Sequence, residues 1–526
     1  MIGSRDFNYK GYGAFNAALS GRQPGSSFKP YGYATLFKGN HWGPGSVLYD
    51  VRTDFGGGYT PDNFDFRFRG FMTARTAIAE SRNIPAVKTL YMAGVQNTIN
   101  QARKMGITTL EDPALYGLSL VLGSGEVKLA DHVNGYSSFA TGGIHHEPSY
   151  ILKVTDPRGN VLKEWKKSSG ERVLDEQIAY LITDMLSDDQ ARSGTFGTRN
   201  PNLVVPGITH AVKTGTTDES RDGWMMGYSR HITAGVWVGN HDNRPMHSIT
   251  SQQTGPMWTE FMRRAHEKLE DKKFERPAGI KSVTLDAWTG KLPTNGTQRT
   301  VTDIFPSWYQ PPGTTEIKTA IIDTVSGNLA TNCTPEAAKK EISAVTGINA
   351  EIPPEDPAYF RWNPPVVALA RTVGSATGGG GVIPTKKDDV HKCDDIKPDI
   401  QSFEATAEPD KGRIKLEVTL NKPTHPWDRV DFTYGGEIIS SAKVSGNKAT
   451  GYYNKPENGK AYSFGATAWD KVLYHDTGSS NSVTYVGIVE DEGGGDGGDG
   501  GAGPEGNNNA GGLGFFWLLG QLSLIS

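Results

Sequence analysis

Cysteine is scarce in this chain: two residues, Cys333 and Cys393, among 526. That excludes a disulfide-dense scaffold. It leaves either one bridge in an oxidising compartment or two unrelated thiols. Two cysteines do not make a zinc site, and His391 alone is a poor supplement. The start of the chain has neither a secretory signal nor an 18-residue apolar run. The apolar stretch from Phe515 to Ile525 is too short and too broken to span a bilayer, and reads as a sticky end rather than an anchor. Charge of one sign is also missing: 54 Lys and Arg stand against 58 Asp and Glu, a formal net charge of -4. Nucleic-acid binding, which shows a basic excess, is not expected.

What is present fits soluble globular domains, with 36% apolar and 21% charged residues. At roughly 150 residues per domain the length implies two to four of them. Residues 1–276 mix long helical patterns with short aromatic strands and read as one domain. Residues 277–397 carry Pro306, Pro311, Pro312, Pro353, Pro354, Pro364 and Pro365 and a glycine run at 378–381. They read as an irregular extension or linker with a few short elements. Residues 398–488 alternate apolar and polar, as in Ile414-Lys415-Leu416-Glu417-Val418, with turns about every ten residues. That pattern predicts a small β-sandwich of the immunoglobulin or fibronectin kind. Residues 489–526 form a Gly/Asp-rich tail with a short apolar end, which cannot bury a core and is expected to be disordered. The irregular period of its glycines and aspartates argues against a calcium-binding repeat.

Three short motifs carry chemistry, in this order: Ser26-Ser27-Phe28-Lys29, Ser81-Arg82-Asn83 and Lys213-Thr214-Gly215-Thr216-Thr217. Singly they are weak. Ser-x-x-Lys recurs at Ser440–Lys443 and Ser445–Lys448, and Ser-x-Asn at Ser326–Asn328 and Ser479–Asn481, whereas Lys-Thr-Gly occurs once. Gly25 and Pro24 break the chain before a predicted helix from Phe28 to Phe37. Pro30 is tolerated in a first turn. Ser26 then sits at a helix N-terminus with Lys29 one turn on, on the same face. A serine hydroxyl needs a base to become a nucleophile. A lysine becomes one only when burial and neighbouring cations lower its pKa. The bland alternative is a capping serine followed by a surface lysine.

A helix is expected from Met72 to Glu80 and another from Pro85 to Ala93, placing Ser81-Arg82-Asn83 at the corner between them. There Ser81 can relay a proton and Asn83 can bond a substrate amide. The alternative is a self-capping turn. His210 to Thr217 reads as an edge strand, followed by strands Trp224–Tyr228 and Ile232–Trp237. Gly215 would let a ligand backbone lie close. Lys213, Thr214 and Thr216 offer a cation and hydroxyls to a carboxylate, although a lysine also simply protects an edge strand. His145-His146 is expected to be an exposed loop pair rather than a metal or catalytic site. The Trp and Tyr residues suit core strands better than a sugar platform.

Taken together in this order, the motifs resemble the transpeptidase domain of class A, bifunctional penicillin-binding proteins. The flanking segments are similar too: Arg22-Gln23-Pro24-Gly25 before the first motif, Ile84-Pro85-Ala86-Val87 after the second, Gly123-Ser124-Gly125-Glu126-Val127, Phe139-Ala140-Thr141-Gly142-Gly143, Asp222-Gly223-Trp224 and Gly235-Val236-Trp237-Val238-Gly239. The resemblance covers about residues 1–263. It implies an α/β (α+β) fold of the serine DD-peptidase/β-lactamase kind, an antiparallel sheet flanked by helices with a helical subdomain. It implies that Ser26 is acylated, Lys29 is the general base, and Ser81 shuttles a proton with Lys213 helping. Asn83 would hold the peptide backbone. Thr214, Gly215, Thr216 and Thr217 would line the donor site, and the N–H groups of Ser26 and Thr216 would form an oxyanion hole. The implied partners are peptidoglycan stem peptides and β-lactams, with no cofactor and no metal.

Such proteins carry a membrane helix and a glycosyltransferase domain ahead of this region. Here Met1 to Phe7 already resembles an internal segment, so the chain is expected to be a fragment for which glycosyl transfer is not expected. Membrane association would run through the missing anchor, and the family implies a place at the outer face of the cytoplasmic membrane. Two other readings remain. One is a hydrolase, either a carboxypeptidase or a β-lactamase, of which a serine β-lactamase would need a positioned base for deacylation, with Glu111, Glu126 and Glu147 as candidates. A non-catalytic cell-wall-binding module would need no turnover at all.

Overall fold

The computed structural model describes residues 1–488 apart from 167, 247–249 and 378–382; the glycine run and the C-terminal tail discussed above lie outside the described residues. The chain divides into two compact units, Met1–Lys392 and from Cys393 onward. Both cysteines are disulfide-bonded, which removes the reading as free thiols. Among the described residues no helix is long and apolar enough to cross a membrane.

The first unit is organised on an antiparallel three-stranded sheet, in the order Thr233–Gly239, Asp222–Tyr228, Ala211–Thr216. Every residue of the middle strand is buried, as expected for a strand covered on both faces. On one face lies the helix Thr250–Ala265, whose Trp258 donates through Nε1 to Ala234 O at 3.0 Å. Gly227 makes room for that indole, since a Cβ there would collide with it. Against the sheet from the other side pack the helices Leu129–Ala140 and Glu176–Ser187, where Thr183 Oγ1 and Tyr228 Oη share a 2.9 Å hydrogen bond. The Lys-Thr-Gly strand is left at the sheet edge, as its sequence predicts.

The helix Lys29–Leu36 is buried along its whole length, and apart from Lys29 it contains no charged residue. Such a helix can only be a core element. It begins later than the sequence suggests: Gly25–Phe28 form a 3₁₀ turn first, with Gly25 at φ +55°, a conformation that disfavours any side chain. Ser26 therefore sits on this tight turn rather than on the first α-helical turn. The helix expected from Met72 likewise starts at Ala74, because Met72 belongs to the strand Gly70–Thr73 and the Thr73 hydroxyl caps the helix by accepting from Thr76 N at 3.2 Å.

Residues 277–397 hold more regular structure than their prolines suggest. Two hairpins, Lys281–Asp286 with Thr300–Phe305 and Glu316–Asp323 with Lys339–Thr346, precede a helix at Tyr359–Thr377 that contains Pro364 and Pro365. The hairpins repeat one turn. Asp286 accepts from Trp288 N and Thr289 N, and Asp323 from Val325 N and Ser326 N; Gly290 and Gly327 follow with φ +69° and +72°. The helix joins the main core through Trp362, which lies 5.3 Å from Phe55, and Glu351 bonds buried Lys88 at 2.9 Å.

The second unit holds a three-stranded antiparallel sheet, Ile400–Glu408, Arg413–Leu420, Lys448–Asn454, a four-stranded one, Glu437–Ala442, Trp427–Tyr434, Gly465–Asp470, His475–Ser479, and a short antiparallel pair, Ala461–Tyr462 with Val483–Thr484. Inward residues of the two larger sheets, including Phe403, Leu416, Val418, Phe432 and Ala466, form one core. Burial alternates strictly along Arg413–Leu420, the period-two pattern visible in its sequence.

Candidate active site

The three motifs converge on one hydroxyl, that of Ser81. Lys213 Nζ donates to Ser81 Oγ at 2.7 Å, and Lys29 Nζ lies 3.5 Å from the same oxygen. Lys29 Nζ also donates to Ser81 O at 2.6 Å and to Asn83 Oδ1 at 2.8 Å. Lys29, Ser81 and Lys213 are buried, while Ser26 is half-buried. The turn carrying Ser26 lies directly on the Lys-Thr-Gly strand. A Cβ on Gly25 would strike the backbone of Thr216, and one on Gly215 would strike Pro24 O. Two glycines thus allow two backbones to touch, which sets the turn carrying Ser26 against the backbone of Thr216.

The second motif is held by its middle residue. Arg82 is fully buried and donates to Asp50 Oδ2 (3.1 Å), Asp65 Oδ2 (3.0 Å) and Arg67 O. Asp50 also accepts from Asn63 Nδ2 (2.7 Å), and Asn63 Oδ1 accepts from Asn83 N (2.8 Å). Asn83 Nδ2 donates to Asp62 O at 2.9 Å, leaving one N–H of its amide for a ligand. Ser81 itself adopts φ +60°, a left-handed conformation that this clamp sustains.

Burial lowers the Lys29 pKa well below its ordinary value; the charges of Lys213 and Arg82 push the same way, and Asp50 opposes them. A neutral amine has two N–H donors and one lone pair. Ser81 O and Asn83 Oδ1 take both donors, so the lone pair remains to accept a hydroxyl proton. Lys213 is brought down to about 7, by burial first and by Arg192 second. The two amines can serve different tasks: Lys29 can act as a neutral base, and Lys213 can offer a cation to a ligand carboxylate. For Lys213 the charged form exists below about pH 7. The second-order rate of acylation by a carboxylate-bearing β-lactam should therefore fall as pH rises through that value, since this rate reports the free enzyme. Lys213→Arg, always charged, should remove that descending limb in a stopped-flow pH series. A wild-type profile flat from pH 6 to 8 contradicts this.

Thr214 is half-buried and Thr216 exposed on the edge strand. Thr217 differs from the expectation that it lines the donor site. Its hydroxyl is buried, accepts from Asp222 N (2.8 Å) and bonds Asp222 Oδ2 (3.2 Å), so it closes the turn between two strands. His145 also departs from the exposed-loop expectation: it is buried in the short strand Ile144–His145 and faces Glu147 at 3.4 Å. Glu111 and Glu126 are exposed, the Glu147 side chain is 91% exposed, and no described hydrogen bond ties any of the three to a motif residue. Away from the cleft, Asp323, Asp388 and His391 have ligand-type atoms within 4.8 Å of one another. Asp323 already accepts two backbone N–H groups. Asp388 accepts from Val390 N, His391 N and Thr334 Oγ1, and shares a 2.7 Å bond with His391 Nδ1. This cluster closes a loop, and an ion would have to displace those bonds.

The residues that sequence reasoning missed are Arg82, Asp50 and Asn63, whose partners lie 13 to 32 positions apart. A family model described as "Penicillin binding protein transpeptidase domain" matches residues 1–262. The chain carries a penicillin-binding protein transpeptidase domain. Penicillin-binding protein 2D of Bacillus subtilis (strain 168) is 31% identical over 303 residues, covering 55% of this chain and 42% of that protein. Penicillin-binding protein 1A of Neisseria meningitidis (serogroup A) is 29% identical over 296 residues, covering 54% and 36%. The chain thus spans less than half the length of these curated relatives. The crystal structure of penicillin-binding protein 1A from Haemophilus influenzae aligns with TM-score 0.50 and 25% identity over 57% of this chain and 50% of that one. The fold is accordingly the mixed α/β fold of penicillin-binding transpeptidase domains.

Proposed function

We propose that this chain is a peptidoglycan DD-transpeptidase that works through an acyl-enzyme on Ser26. The observation carrying the reading is the Ser81 hydroxyl held between Lys29 and Lys213. Lys29 accepts the Ser26 proton as Oγ attacks the carbonyl of a D-Ala-D-Ala bond. The developing oxyanion meets the N–H groups of Ser26 and Thr216. The proton passes from Lys29 through Ser81 to the leaving nitrogen, and D-alanine departs. Lys213, Thr214 and Thr216 hold the donor carboxylate, and Asn83 holds its backbone. An amine of a second stem peptide then attacks the acyl group and releases Ser26, its proton returning by the same route.

A β-lactam mimics the scissile bond and is expected to acylate the same serine. Glu111, Glu126 and Glu147 are exposed and no described hydrogen bond ties them to a motif residue, which supports transfer over a β-lactamase, which needs a positioned base. In this reading residues 1–276 are the catalytic domain, 277–397 its extension and 398–488 a separate β-sandwich, and the protein works outside the cytoplasmic membrane. Supplying a D-Ala-D-Ala peptide or a thioester donor with a D-amino acid acceptor tests it by mass spectrometry. A new amide product is expected. Free acid alone would make the chain a carboxypeptidase, and neither product would leave only a binding module.

A further inference from the structure

We infer that His132 is a positioning residue for the nucleophile turn, passing a hydrogen bond from Tyr31 to Ser27 and so fixing the turn that presents Ser26. This rests on the transpeptidase reading but concerns residues that the reading does not use. Ser27 is the neighbour of the nucleophile and points inward, fully buried, as are Tyr31, His132 and Tyr136. Ser27 Oγ donates to Pro24 O at 2.7 Å, the carbonyl that precedes the turn. With its proton committed there, Ser27 Oγ must accept from His132 Nε2, 2.9 Å away. Nε2 therefore carries the proton, and Nδ1 is free to accept the Tyr31 hydroxyl at 3.1 Å.

The opposite tautomer would take the Ser27 proton from Pro24 O and leave the buried Tyr31 hydroxyl proton without this acceptor, an unfavourable arrangement. Burial alone holds the His132 pKa down to about 3, so the ring stays neutral and can be both donor and acceptor. The space for the relay is built in. Gly135 sits opposite the Tyr31 hydroxyl, and a Cβ there would collide with it. Two further bonds brace the same turn: Tyr136 Oη donates to Ser27 O at 2.6 Å, and Trp224 Nε1 donates to Gln23 O at 2.7 Å. Trp224 also stands edge-on to the His132 ring, 5.7 Å away. The carbonyls of Gln23, Pro24 and Ser27 thus each have a named donor, and His132 links Ser27 of the turn to Tyr31 of the helix Lys29–Leu36 through a hydrogen bond to each side chain.

A misplacement of about 1 Å at a reacting atom lowers a rate by about 100-fold. His132→Leu should lower the first-order acylation constant for fluorescent penicillin by 10-fold or more, leaving the dissociation constant of the initial complex within threefold of wild type. His132→Gln, which keeps a donor and an acceptor on one side chain, should recover most of the loss. NMR of the wild-type protein with labelled histidine, His132 being assigned through the Gln variant, should show the Nε2–H tautomer. A Leu variant that acylates at the wild-type rate overturns the inference, and so does an Nδ1–H tautomer in the wild type. If the Leu variant fails to fold, the tautomer decides. Absence of any adduct on the wild type would instead count against the transpeptidase reading, and the tautomer result would stand apart from it.

Discussion

Lys29→Met should reduce acylation by penicillin on the order of 10²- to 10⁴-fold, the range that a positioned general base supplies. Methionine copies the unbranched stem and fills the same buried space, but it has no lone pair basic enough to accept the Ser26 proton. Two opposing terms bear on stability. The buried acceptors Ser81 O and Asn83 Oδ1 lose their donor, each at roughly 1 to 3 kcal/mol. The protein is also relieved of a buried amine whose charged form is disfavoured by burial. Stability should therefore change little while the reaction collapses. Lys29→Arg should not rescue it, because a guanidinium stays protonated and cannot act as the base. Stopped-flow labelling with a fluorescent penicillin, read beside denaturant unfolding, separates these outcomes. A methionine variant within tenfold of the wild-type rate contradicts the assignment of the base.

Arg82→Ala should destabilise the first unit by about 3 to 5 kcal/mol, the range for removing one partner of a buried ion pair. Both Arg82 and Asp50 have side chains with no exposure, so the orphaned carboxylate could not be rescued by water without local rearrangement. The loss spreads because Asp50 also accepts from Asn63 and from Arg69 N, and Asn63 in turn holds Asn83 N. The corner that keeps Ser81 at φ +60° would relax, and penicillin labelling should weaken together with stability. Pairing Arg82→Met with Asp50→Asn should recover more than half of the lost stability, since no buried charge is then left alone. Urea unfolding of the two variants is the check, and a single variant within about 1 kcal/mol of wild type would show that the clamp is not what holds the corner.

The chemistry was more legible in the sequence than its support. Ser26, Lys29, Ser81, Asn83 and Lys213 stand in short motifs because each local turn fixes the side chains relative to one another. The edge position of the Lys-Thr-Gly strand followed from its polar, glycine-containing pattern beside two apolar strands. Arg82 passed as the variable middle of its motif, because its partners come from the end of a strand (Asp50) and a loop (Asp65, Arg67) upstream that no local pattern ties to it. Thr217 was grouped with the donor site because it continues the threonine run, whereas its hydroxyl turns back to Asp222. The prolines of 277–397 suggested irregularity, yet Pro364 and Pro365 lie inside a helix that its own Trp362 anchors to Phe55 and Tyr91 of the main core. Lys88 and Glu351, 263 positions apart, show why that packing was out of reach of periodicity. The Asp-x-x-Ser/Thr-Gly repeat at Asp286 and Asp323 was a signal that could have exposed the paired hairpins.

The most direct test is to digest the penicillin-treated protein and locate the adduct by tandem mass spectrometry. One penicillin bound as an ester on Ser26, and on no other serine, is the predicted result. An adduct on Ser27 or Ser81, or an unmodified protein after saturating exposure, would contradict the account.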